Sequence, residues 1–280
     1  MVPLKQILAW LDDHAPFNYC APWDNCGLQV GHPDAPVERL LVALDVTSRT
    51  LDEAARNQCQ CLVTHHPLIF QPLKFLRFDT FPGSLVAAAV LNRIHLVAAH
   101  TNLDAAREGI NAHLAARLGL QDVKALEVDP QWADQPAYGG MGRIGLLPAA
   151  RPLAALAADL AADLGTDQVR LVGAPDRPIR RIAICSGSGA GLMALALEQR
   201  CDAYVTGDIR YHEAQAALEQ GLALIDVGHF ASERLIVAPL ASYLRNRARR
   251  DGVALEVFAA QTDEDPFQRN SVLMKGDRFV

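Results

Sequence analysis

Aromatic side chains are scarce in this chain. They make up 6 % of its 280 residues, and alanine and leucine carry most of the apolar character. Basic residues are outnumbered, 26 Lys and Arg against 32 Asp and Glu, for a formal charge of −6. That balance argues against a nucleic-acid partner, because such binders need a basic footprint to neutralise phosphates. No apolar run reaches the length of a membrane span. Met1-Val2-Pro3-Leu4-Lys5 opens no secretory signal, since Asp12, Asp13 and His14 interrupt the segment too early. The expected location is cytoplasmic, with no membrane partner. The six cysteines are Cys20, Cys26, Cys59, Cys61, Cys185 and Cys201, and no two are spaced Cys-x-x-Cys. Neither a structural zinc site nor a disulfide framework is therefore expected. Cys61 and Cys185 sit in apolar runs and read as buried, whereas Cys26 lies in a loop.

What the chain does have is a recurring grammar of short apolar runs. Half of the residues are hydrophobic, enough core for one large domain or two modest ones at this length. Runs of this kind, ended by Gly, Pro or polar residues, read as buried strands. The spacing predicts strands over 40–45, up to 65, up to 100, then over 169–172, 182–185, 203–206, 223–227 and 255–259. Helical periodicity lies between them, over 3–14, from Ser48 as a cap to about 59, then 84–92, 108–118, 153–164, 192–199, 212–219 and one long helix over 231–249. Strand-helix-strand order implies an α/β fold with mostly parallel sheets. Residues 121–137 are polar with no clear period and read as a domain junction. The expected division is a metal-binding α/β unit of residues 1–125 plus 227–280, and a second α/β unit of 126–226.

Ligand-type residues cluster where the runs stop. Cys61-Leu62-Val63-Thr64 ends in His65-His66-Pro67, and His95-Leu96-Val97-Ala98-Ala99 ends in His100-Thr101-Asn102-Leu103-Asp104. Ala223-Leu224-Ile225-Asp226-Val227-Gly228 ends in His229, with Glu233 four residues on. In open α/β sheets, ligands bind beyond the carboxyl ends of strands. Taken singly, each motif has an ordinary reading as a polar strand end, a helix cap or a solvated helix face. With His100 set aside, together they supply three histidines and two carboxylates, which suit zinc, manganese, iron or nickel better than calcium. Five ligands exceed the need of one tetrahedral ion with an open position. They suit two divalent ions about 3.5–4 Å apart. Asp104, Glu233 and a bridging hydroxide would leave such a pair positive, which favours a small anionic substrate. His100 is open between direct ligand, hydrogen-bonded neighbour and proton carrier, with the catalytic, proton-carrying role preferred. Ser186-Gly187-Ser188-Gly189-Ala190-Gly191 follows a predicted strand and opens a helix; it is not a complete phosphate-binding fingerprint, and a tight turn is the simpler reading. Asp208 and His212 read either as outer partners of the site or as a cap and a surface histidine.

At these residues, and at Trp23-Asp24-Asn25-Cys26-Gly27-Leu28-Gln29-Val30-Gly31 and Gly207-Asp208-Ile209-Arg210-Tyr211-His212-Glu213-Ala214, the chain resembles the NIF-three-like family, the GTP cyclohydrolase 1 type 2 homologues. The motifs occur in the family's order nearly end to end. The resemblance implies two interleaved α/β domains, a dinuclear metal centre and a ring-shaped homohexamer. It also implies ligand roles for His65, His66, Asp104, His229 and Glu233, with Glu233 bridging and His100 beside the metals. Cys26 and Phe230 depart from the family's usual residues, and neither replaces a ligand. The expected function is a metal-dependent hydrolase of a nucleotide or phosphorylated substrate. The rival expectation is a metal chaperone or regulatory partner without turnover.

Overall fold

The computed structural model describes residues 1–135 and 138–267. The last part of the expected first unit, 268–280, therefore lies outside the described residues. The chain runs β1 (Val2–Pro3), α1 (Leu4–His14), β2 (Gly27–Val30), β3 (Pro36–Val37), β4 (Arg39–Ala43), α2 (Ser48–Arg56), β5 (Cys61–Thr64), α3 (Gly83–Leu91), β6 (His95–Ala98), α4 (Thr101–Ala105) and α5 (Ile110–Arg117). It continues with β7 (Gln121–Glu127), β8 (Met141–Pro152), α6 (Leu153–Leu164), β9 (Arg170–Val172), β10 (Pro178–Ile184), α7 (Met193–Glu198), β11 (Ala203–Thr206) and α8 (Tyr211–Glu219). β12 (Ala223–Asp226), α9 (His229–Arg234), α10 (Val237–Arg250) and β13 (Glu256–Ala259) follow.

Two large sheets result. One has the order β13-β4-β5-β6-β2 and the other β7-β8-β10-β11-β12-β9. In the first, only β2 pairs antiparallel with its neighbour. The second is mixed: β10-β11-β12 are parallel, and the flanking strands pair antiparallel.

The period-2 pattern of each strand decides which core a side chain joins. In the five-stranded sheet, Leu40, Val42, Cys61, Val63 and Val97 face α1 and α10. Their neighbours Leu41, Ala43, Leu62 and Leu96 face α2 and α3. In the six-stranded sheet, Ile182, Ile184, Val205 and Ile225 pack against α6, while Ala183, Tyr204 and Leu224 face α7 and α8. Both sheets are thus covered on both faces, which is why their strands read as nearly unbroken apolar runs. Helix α5 joins the halves, with Ile110 in one core and Leu114 in the other.

The structure revises three local readings. Residues 121–127, read as polar junction, form β7, an edge strand whose side chains are mostly exposed, so no apolar alternation marks it. The helix expected over 231–249 breaks into α9 and α10 around Leu235-Ile236. Thr47, not Ser48, caps α2: its hydroxyl accepts from Thr50 N at 3.1 Å, and Thr50 Oγ1 accepts from Thr47 N at 2.8 Å. An N-cap hydroxyl is worth about 1 kcal/mol. Thr47→Ala should therefore lower stability by about that amount, whereas Ser48→Ala should shift it by only a few tenths of a kcal/mol. Chemical denaturation of both variants checks this, and equal losses would contradict the assigned cap.

Candidate metal centre

The carboxyl ends of β5 and β6 meet the carboxyl end of β12 across the seam between the two sheets, and the ligand-type residues gather there. His65 and His66 continue past β5, held by His65 N to Ala43 O at 3.3 Å and His66 N to Leu44 O at 3.0 Å. Thr64 Oγ1 donates to His66 O at 2.8 Å and tightens the turn. Asp104 projects from the short helix α4, and His229 with Glu233 from α9. The carboxylate of Asp226 accepts from Gly228 N at 3.0 Å and shapes the turn that delivers His229.

Every histidine of the cluster is anchored through Nδ1. His65 Nδ1 meets Ala99 O at 2.9 Å, His66 Nδ1 meets Asp45 at 2.8 Å, His100 Nδ1 meets Asp24 at 2.9 Å, and His229 Nδ1 meets Asp208 at 2.7 Å. A carbonyl or carboxylate can only accept, so each Nδ1 must donate. In the neutral ring this leaves the lone pair on Nε2. Those lone pairs point at another acceptor. His66 Nε2 and His229 Nε2 each lie 2.9 Å from Glu233 Oε2 and 3.2 Å from one another. His65 Nε2 lies 3.6 Å from Glu233 Oε1 and 3.9 Å from Asp104 Oδ1. His65 Nε2, Asp104 Oδ1 and Glu233 Oε2 are buried without a hydrogen-bond donor among the described residues.

Acceptors facing acceptors in a buried site need a cation between them. Protons alone would have to meet a severe demand. Burial opposes charging His66, yet Asp45 and Glu233 pull it up to about 10. Burial likewise opposes His229, and Glu233 with Asp208 raises it to about 9. His65 is raised against burial by Glu233 and Asp104. Burial favours a neutral Glu233, but the three imidazoles hold its carboxyl well below the usual range. Burial pushes Asp104 up. A divalent ion satisfies the same atoms without protonating any of them. The imidazole-carboxylate donor set, each imidazole oriented by an oxygen, is the arrangement metal-binding histidines adopt. The residues therefore fit a metal. His66, His229 and Glu233 have ligand atoms mutually within 4.8 Å, and so do His65, His66 and His100.

Access is asymmetric. The His65 side chain is 1 % exposed, that of His66 22 % and that of His229 35 %. The open side gives onto a cavity of about 690 Å³ whose wall includes Asp45, Arg170, Asp208, Asp226 and Phe230. Arg170 is ion-paired with Asp226 and also donates to Ile209 O. On the other side, the exposed rings of Trp23 and Phe70 stand edge-on to His100, with centroids 6.4 and 6.3 Å away.

The structure gathers all six residues singled out as ligands or proton carrier, and places Asp208 at the site as well. His212 is elsewhere, exposed on α8 with its ring against Tyr211. The anchoring roles of Asp24 and Asp45 carry no spacing signal and were missed. The glycine loop after β10 also acquires a role. Gly187 has φ +61, and a Cβ there would collide with Glu233 Oε1 and lie 3.3 Å from His229 Nε2. Its N–H donates to Ser232 Oγ at 2.9 Å. The loop therefore lets the backbone of the second sheet press against the central carboxylate.

Two perturbations follow from this geometry. His65→Ala combined with Glu233→Ala should remove most bound metal while circular dichroism stays native, because neither side chain belongs to a hydrophobic core. Gly187→Ala should lower metal content by displacing Glu233, with a strain cost of about 1–2 kcal/mol. Elemental analysis reads both, and full metal content in the double variant would refute the assigned ligands.

Comparison with known proteins places these features in a wider set. The sequence profile of the family described as Duf34/NIF3 (NGG1p interacting factor 3) matches residues 2–266. A Streptomyces coelicolor protein named GTP cyclohydrolase 1 type 2 homolog is 35% identical over 270 residues, covering 95% of this chain and 94% of its own. A Clostridium perfringens protein of the same name is 31% identical over 265 residues, covering 95% and 98%. The crystal structure of a Staphylococcus aureus hypothetical protein superposes with a TM-score of 0.88 at 30% identity, over 95% of this chain and 99% of that one.

Proposed function

The chain belongs to the Duf34/NIF3 family, and from that membership and its inward-facing lone pairs we propose that it is a dinuclear-metal-dependent hydrolase of a nucleotide or phosphorylated substrate. The observation that carries the reading is the buried carboxylate of Glu233 set against His66 and His229 on one oxygen and His65 on the other. His66 and His229 would share one divalent ion with Glu233, and His65 and Asp104 a second. Zinc, manganese, iron or nickel suits this donor set. Such ions would supply Lewis acidity and a nucleophile from water at neutral pH.

The protein's own groups do the rest. Asp24 fixes His100 with the proton on Nδ1, so Nε2 is free to take a proton at the edge of the site. Asp45 and Asp208 keep the Nε2 atoms of His66 and His229 aimed inward. The cavity wall beyond them is rich in carboxylates, with Arg170 already engaged by Asp226. An anionic group would therefore bind at the ions, and the hydrogen-bond donors of the same substrate would face the wall. The name carried by the relatives makes GTP the first substrate to test.

The test is a screen of metal-reconstituted protein against nucleotides and generic phosphoesters. His100→Ala should cut turnover more than metal content, while Asp104→Ala should cut both. Equal loss of metal in the two variants would make His100 a ligand instead. Fully metallated protein that hydrolyses nothing would leave the non-catalytic metal chaperone or regulatory partner.

The homohexamer implied by the resemblance belongs to the same proposal. Residues 70–81 are exposed throughout, and Phe75, Phe78 and Phe81 are 72, 66 and 74 % exposed. Apolar side chains grouped this way on a surface mark a contact face. Light scattering should report a hexamer, and Phe75→Glu with Phe78→Glu should shift it to smaller species. A monomeric wild-type chain at micromolar concentration would refute the assembly.

A further inference from the structure

Cys20 and Cys26 form no recognisable motif in the sequence, but the fold turns both thiols onto a single oxygen. Cys26 Sγ lies 3.2 Å and Cys20 Sγ 3.5 Å from Asp24 Oδ2. The two sulfurs and the carboxylate oxygen are mutually within 4.8 Å. Thr101 Oγ1 adds a fourth polar atom, 2.6 Å from Asp24 Oδ2 and 3.8 Å from Cys20 Sγ. The opposite oxygen, Oδ1, accepts from Asn25 N at 2.7 Å and meets His100 Nδ1 at 2.9 Å. The side chain of Asp24 has no exposed surface. Cys20 and Cys26 are partly exposed, whereas the other four cysteines are buried. A cavity of about 650 Å³, lined by Trp23, Thr101 and Trp132 among others, opens onto Cys20.

We propose that Cys20, Cys26 and Asp24 form a separate site for a thiophilic cation such as zinc, with the Thr101 hydroxyl or water completing it. The spacing fits. Tetrahedral zinc with Zn–S of about 2.3 Å and Zn–O of about 2.0 Å separates a sulfur from an oxygen ligand by about 3.5 Å, close to both observed distances. Two sulfurs and one carboxylate oxygen select zinc, cadmium or cuprous copper over magnesium, calcium or manganese. Binding breaks two S–H bonds, forms two metal–sulfur bonds and releases two protons to solvent. No electrons move. Without a cation the Cys26 thiol keeps its proton, because burial and then the neighbouring Cys20 push it up. An ion here would sit on one oxygen of the carboxylate whose other oxygen orients His100. Occupancy would therefore withdraw charge from the group that holds His100 in place, linking this site to the histidine centre. The site stands on the cysteine geometry and does not depend on the hydrolase reading.

The experiment titrates metal-stripped, reduced full-length protein with cadmium and records the thiolate-to-cadmium charge-transfer absorption in the ultraviolet. Wild type should develop the band. Cys20→Ser and Cys26→Ser should each lose it, together with one ion per chain. His65→Ala combined with Glu233→Ala should keep the band while losing the other ions. On unaltered protein, zinc should protect Cys20 and Cys26 together from alkylation, read by peptide mass spectrometry, which keeps the test independent of variant folding. No band in wild type, a band of equal strength in Cys26→Ser, or no zinc protection of the pair would overturn the site.

Discussion

One buried carboxylate organises the centre of this molecule. Glu233 is nearly inaccessible, and imidazole nitrogens approach both of its oxygens. Leaving an ion of this kind uncompensated in the interior costs several kcal/mol. The surrounding structure therefore has to hold a positive counterpart against it, and each imidazole must present a lone pair rather than an N–H if that counterpart is a metal. The four Nδ1 anchors enforce this tautomer. Asp24, Asp45, Asp208 and the Ala99 carbonyl are thus as much part of the centre as the atoms that would touch an ion.

The same requirement explains the architecture around the site. His65, His66 and Asp104 come from the five-stranded side, whereas His229 and Glu233 follow a strand of the six-stranded sheet. The site exists only because the two sheets abut at their carboxyl ends. Gly187 and Gly207 allow that approach: a Cβ on Gly207 would lie 2.6 Å from His229 N and 2.9 Å from Gly187 O. Asn111 ties the same seam, accepting from Ser186 N at 2.9 Å and donating to Asp104 O at 3.3 Å. Substitutions at these positions would act on the centre without touching a ligand.

The centre is also graded in access. Its closed side, at His65 and Asp104, is sealed by core, and its open side, at His66 and His229, meets a cavity walled by carboxylates. His100 stands between this centre and the cysteine pair, sharing Asp24 with the latter. A single carboxylate therefore faces two chemically different environments, one of imidazoles and one of thiols.

The residues that gather at the centre were legible in the sequence because they obey a local rule. Each follows a short apolar run or lies within a few residues of its end, and buried strands of an α/β fold announce themselves as such runs. Most helices and most strands were legible for the same reason. β7 was not, since an edge strand with exposed side chains carries no apolar period. The break between α9 and α10 was not, since apolar spacing continues through Leu235 and Ile236 into both helices. What no local pattern encodes is which oxygen anchors which imidazole, that Gly187 must yield space to Glu233, or that Cys20 and Cys26 share Asp24. The anchors depend on contacts between residues up to 76 positions apart, as between Asp24 and His100. By itself the sequence determined the alternation of strands and helices and the residue types at the strand ends. Only the packing of one sheet against the other decided that those ends meet, because the distances between them are set by the seam and not by either segment.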